Sequence, residues 1–89
     1  LIDVGHAMLH NWDITKLLAD LGDRIRAYHV HENFRDADSH LKVGEGPLDW
    51  KQFFSDYKKY SPEARLVLEY MHGPIDSIIE NIALVKSYL

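Results

Sequence analysis

Short β-rich runs alternate with longer stretches of helical spacing along this chain. Leu1–Val4, Ile25–His31 and Ala64–Tyr70 carry apolar or β-branched residues, are each closed by polar ones, and read as buried strands. Between the first two, Asp13 precedes Ile14, Leu17, Leu18 and Leu21, which form one helix face behind an N-cap, with Gly22 as the stop. Asp49 likewise precedes Trp50, Phe53, Phe54 and Tyr57, with Gln52 at the third position of a capping box, and Ser61-Pro62 ends that helix. A last helix starts at Asp76 or Ser77 and aligns Ile75, Ile78, Ile79, Ile82 and Val85 on one side. Gly5-His6-Ala7 reads as the turn leaving the first strand. His10-Asn11-Trp12 and His72-Gly73-Pro74 read as loops.

The resulting order, β-α-β-α-β-α, predicts an α/β domain with a parallel sheet and right-handed crossovers. One connection stands out. Residues 32–48 form a loop long for a compact domain, and loops of that length are usually functional or disordered. The polar residues gather at the C-terminal ends of the strands, the end that carries the chemistry in α/β barrels and open α/β sheets.

Composition narrows the picture only slightly. With 89 residues, 46% hydrophobic and 27% charged, the chain fits one small soluble domain with a modest core. It has no cysteine, which excludes a disulfide framework and a thiolate zinc site and fits a reducing, cytoplasmic setting. A net charge of -4 leaves no electrostatic footprint for nucleic acid, and no apolar run approaches the length of a membrane span. Leu1 falls directly into a strand that already bears a candidate ligand, which reads as a piece of a longer protein whose further strands, or another chain, cover the open sheet edges.

The candidate chemistry lies in histidines and acids. Asp3 closes the first strand and stands three residues before His6; Glu69 closes the apolar Leu66-Val67-Leu68 run and has no helix to cap. An ionised group at the end of an apolar strand is costly unless it is paired, hydrogen-bonded or bound to metal. His29 and His31, two apart on a strand, share a face, so that one serves as a ligand and the other as a substrate or second-layer contact. Asp38 and His40 add an acid and an imidazole in the loop, after Glu32 and Asp36. Imidazole and carboxylate together suit zinc, manganese or iron. Taken singly, each of these residues also fits a plain structural role. Gly44-Glu45-Gly46 is a turn and not a phosphate cradle, because no helix follows at once and Glu45 would repel an anion. The aromatic stripe of residues 50–57 is core packing.

In order, D-V-G-H, H-V-H-E-N, D-S-H-L-K-V-G-E-G and L-V-L-E resemble the last three βα units of the xylose-isomerase-like barrels. That superfamily includes sugar and sugar-phosphate isomerases and epimerases, and the family 2 apurinic-site endonucleases. The resemblance implies that the chain is the C-terminal part of a (β/α)8 TIM barrel. It implies that Asp3, His29 and Glu69 are three of four ligands of a divalent metal (Mn, Zn, Mg or Co), with Glu69 also moving protons as a catalytic acid or base. His6, Asp38 and His40 match substrate contacts or the ligands of a further zinc, and His31 a substrate or second-layer position. The family usually has Asp where this chain has Glu32. The implied function is a metal-dependent isomerase or epimerase acting on a small sugar-like substrate. The alternatives are a zinc-dependent phosphodiesterase of the apurinic-site endonuclease kind and an inactive metal-binding fragment.

Overall fold

The computed structural model describes residues 1–70 and 73–89. The loop reading of His72 falls outside the described residues. Three strands, β1 (Ile2–Asp3), β2 (Ala27–Val30) and β3 (Arg65–Leu68), form one parallel sheet in the order β1-β2-β3. Among the described residues four α-helices accompany them: α1 (Val4–Leu9), α2 (Ile14–Leu21), α3 (Trp50–Tyr60) and α4 (Ile75–Ser87). The α/β class and the parallel sheet follow the sequence pattern, with each strand shorter than its apolar run. No described helix is long and apolar enough to cross a membrane.

Register decides which residues share a face. Asp3 pairs with His29, which pairs with Val67, so these three form one row across the sheet. The neighbouring row, Ile2, Tyr28 and Leu66, points the other way, toward the helices. There Tyr28 is fully buried and meets Phe53 and Tyr57 edge-on, at 5.5 and 5.8 Å between ring centroids. Trp50, Phe53 and Phe54 extend this cluster, and Phe54 stacks on Tyr88 of the C-terminal end at 5.1 Å. The face bearing the Asp3 row stays open: Val67 is 42% exposed and Arg65 is exposed too.

Several local expectations are corrected or refined. Val4, read as strand end, and Gly5-His6-Ala7, read as a turn, wind with Met8 and Leu9 into α1, because the Asp3 carboxylate accepts the His6 amide at 2.9 Å and acts as its N-cap. Gly22 is the C-cap of α2, but with φ −52° it runs on into a 3-10 turn; a Cβ there would lie 2.6 Å from the Tyr60 carbonyl oxygen, so close approach and not a left-handed turn calls for glycine. The last helix begins at Ile75 behind Pro74, and Ser77 donates its hydroxyl to the Pro74 carbonyl at 2.8 Å. Its isoleucine stripe is only partly covered. Ile75 and Ile79 are exposed, while Asn81 and Val85 are buried, since Asn81 donates to the Val43 carbonyl at 2.8 Å and accepts from the Tyr70 hydroxyl. The Asp13 and Asp49 caps form as expected, at 3.0 Å each to the Lys16 and Gln52 amides. The Gln52 side chain, however, turns to Asp56 and does not complete a capping box.

Truncating Phe54 removes the ring that joins α3 to the C-terminal end. Phe54→Ala is expected to lower unfolding free energy by about 3–5 kcal/mol, read from urea denaturation of the complete protein. A loss below about 1 kcal/mol would show that the cluster does not hold α4 in place.

Candidate metal centre

The end of β1, the third residue of β2 and the residue after β3 bring two carboxylates and an imidazole to one place. Asp3, His29 and Glu69 each offer one atom, and these atoms lie within 4.8 Å of one another. His29 Nδ1 is 2.9 Å from a Glu69 oxygen and 3.8 Å from the Asp3 Oδ2 oxygen. Donors bound about 2.0–2.2 Å from one ion stand roughly 3–4 Å apart, so this set fits a small divalent cation with little movement. The side chains are 18% (Asp3), 30% (His29) and 32% (Glu69) exposed, which leaves a side open for substrate or water. An ion here needs a neutral imidazole and ionised carboxylates as ligands, so acid should compete with it.

The Asp3 carboxylate is held before any ion arrives. Its Oδ1 accepts both the His6 amide and His31 Nε2, the latter at 2.8 Å. His31 is fully buried and its Nδ1 has no hydrogen-bond partner among the described residues. Burial pushes its imidazole below the ordinary value of 6.5, against the pull of Asp3, so the ring stays neutral and donates through Nε2. Such a contact orients a ligating carboxylate. Room for the ring comes from Gly5, where a Cβ would sit 2.0 Å from a His31 ring carbon. Asn33, also buried, donates to the Gly5 carbonyl at 2.9 Å and fixes that turn of α1 from the other side.

A second group surrounds Asp38. One of its oxygens lies 3.2 Å from His6 Nε2 and the other 3.3 Å from His40 Nε2. His40 Nδ1 bonds the Glu69 carbonyl at 2.7 Å. Burial disfavours the charged form of His40, but the Glu69 carbonyl and the Asp38 carboxylate outweigh it and raise its pKa. Burial likewise opposes the ionised form of Asp38, yet the bonds from His6 and His40 hold its pKa below the usual value. His31, His40 and Glu69 also approach within 4.8 Å. However, the two imidazoles stack 3.9 Å apart at an interplanar angle of 2°. Parallel rings at that separation cannot both aim an in-plane lone pair at one ion, so this grouping is packing and not a second site.

Thus Asp3, His29 and Glu69 come together, and His6, Asp38 and His40 form a second line beside them. Asp36, by contrast, is exposed and makes none of the described ion pairs. Sequence reasoning missed Gly5, Asn33 and Gly46, and gave Glu32 no role. The available signal was three consecutive polar residues, 31–33, directly after a strand; all three are fully buried.

No family model and no solved structure matches this chain. Over 77 residues, 86% of its length, it is 32% identical to an uncharacterized protein of Methanocaldococcus jannaschii, and the match spans 29% of that relative's length.

Two outcomes follow for the complete protein. Calorimetric titration with Zn2+ or Mn2+ should show tight binding lost in His29→Ala, but weakened by about 10–100-fold in Gly5→Ala through the displaced His31. Equal affinities in Gly5→Ala and the parent would mean that His31 does not orient Asp3. Without metal, NMR titration should place His31 below and His40 above 6.5. The sign is opposite for the two. His31 lowers stability as pH falls below the unfolded value of about 6.5, whereas the His40 contribution is full below that value and lost as pH rises through its raised pKa.

Proposed function

We propose that these three βα units belong to a (β/α)8 barrel of the xylose-isomerase-like kind and form part of a divalent-metal-dependent isomerase or epimerase for a sugar or sugar phosphate. The observation that carries this reading is the convergence of Asp3, His29 and Glu69 at neighbouring parallel strand ends. The two sheet edges are then where the remaining strands pair and the open face looks into the barrel, and a relative of which this chain spans under a third is consistent with such a longer protein.

A divalent cation held by these residues would polarise the carbonyl and hydroxyl oxygens of the substrate. The chain's own groups do the rest. Glu69, about a third exposed, takes and returns a proton at the sugar carbon. His31 keeps the Asp3 carboxylate turned toward the site and excludes water behind it. His6, Asp38 and His40 meet substrate hydroxyls from the loop side.

A second reading has its own support. The His6–Asp38–His40 line offers two imidazoles and a carboxylate for a further ion, as a zinc-dependent apurinic-site phosphodiesterase would require. Metal analysis of the complete protein, paired with assays of ketose–aldose interconversion, epimerisation and abasic-duplex cleavage, separates the two. The expected result is one tight ion per chain, sugar conversion, and a kcat about 10²–10⁴-fold lower in Glu69→Gln. Three zinc ions with robust strand cleavage would replace the first reading by the second.

A further inference from the structure

We propose that Glu32 is a positioning residue, whose buried carboxylate sets the conformation of residues 38–50 and thereby the place of Asp38 and His40 beside Glu69. The inference rests on the proposed function only in that Asp38 and His40 face the substrate.

Glu32 is fully buried at the end of the central strand, and three N–H groups converge on it. Its Oε2 accepts the Gly44 amide at 2.7 Å and the Trp50 indole at 2.6 Å, and its Oε1 accepts the Leu48 amide at 3.0 Å. These donors belong to the turn of the loop, its descent, and the first residue of α3. The Glu32 backbone meanwhile exchanges two hydrogen bonds with Leu41, at 2.9 and 2.7 Å, immediately after His40. One residue therefore ties the segment down at four points.

Gly46 completes the fit. A Cβ there would lie 2.6 Å from Glu32 Oε1 and 2.9 Å from its Cδ, and Gly46 does not have a positive φ. The second glycine of G-E-G is thus required by the approach of the carboxylate and not by the turn, which Gly44 makes at φ +93°. At its other end, the segment presses the His40 ring onto His31 and its Nδ1 onto the Glu69 carbonyl. A loop long enough to wander is consequently fixed at both ends of the site, with Glu32 as its rear anchor. The shorter Asp side chain would leave at least one of the three donors unmet, and an unmet buried donor is costly.

The test uses the complete protein with Glu32→Gln, Glu32→Asp, Gly46→Ala and the Glu32→Asp/Gly46→Ala double variant. Amide exchange at Gly44 and Leu48 and at the Trp50 indole, measured by NMR, reads the anchor directly. Calorimetric metal affinity and the split between kcat and KM read its consequence. Glu32→Gln places an amide NH2 against one of the facing donors, so exchange should accelerate about tenfold or more. kcat should fall about tenfold or more as Asp38 and His40 shift, with metal affinity unchanged. Gly46→Ala should do the same alone but add nothing to Glu32→Asp, whose shorter side chain makes room for the methyl. Unchanged exchange in Glu32→Gln, or fully additive losses in the double variant, would overturn the proposal. If the Glu32 variants fail to fold, Trp50→Phe removes a single donor and must still accelerate exchange at Gly44. If the parent lacks sugar-converting activity, the proposed function falls, while the exchange measurements still decide the role of Glu32.

Discussion

The burial of three consecutive polar side chains at the end of β2 is the constraint on which the arrangement depends. His31, Glu32 and Asn33 are all 0% exposed. Burying a polar group without a partner costs roughly 1–3 kcal/mol on mutational evidence, so each must meet its complement from a distant part of the chain. His31 finds Asp3 at the end of β1, Glu32 finds the 44–50 segment, and Asn33 finds the Gly5 carbonyl of α1. An apolar core tolerates many repackings. These pairings tolerate few, because each donor must face its own acceptor.

Their consequence is a division of labour along one strand. The side chain of His29 emerges on the open face beside Asp3 and Glu69, whereas His31, two residues on, has left the strand and lies in the interior over Gly5. One imidazole is accessible to an ion, and the other orients a carboxylate next to it. The stack of His31 on His40 links this inner layer to the loop that carries Asp38. Carboxylates thus accumulate at one end of an already acidic chain of net charge -4. The imidazoles of His6, His31 and His40 lie against their oxygens in the metal-free state, and a cation would offset the repulsion between them more strongly.

The apolar pattern sufficed for the class of fold and for much of its detail. Helix period, the Asp13 and Asp49 caps and the three β-rich runs are local signals, and local signals survive without knowledge of the rest of the chain. They were less reliable where a side chain had two uses. Asp3 was legible as a candidate ligand but hid a helix, because capping depends on whether the following residues turn, and Gly5-His6 resembles a simple turn. The isoleucines of α4 promised a buried stripe, but that helix docks through Asn81 and Val85 because the Tyr70 hydroxyl and the Val43 carbonyl are there to meet Asn81.

The sequence by itself determined which residue types could meet: acids at two strand ends, histidines two apart, and a polar loop that carries two glycines. Strand alternation limited their faces, since the period of two is a property of the backbone. Tertiary structure alone decided the partners. That Glu32 anchors a loop, that Gly5 makes room for an imidazole and Gly46 for a carboxylate, and that His31 and His40 stack too nearly parallel to share an ion are distances between segments 12 to 26 residues apart or angles between rings. No local pattern encodes such quantities, because they arise only when register and packing bring the segments together.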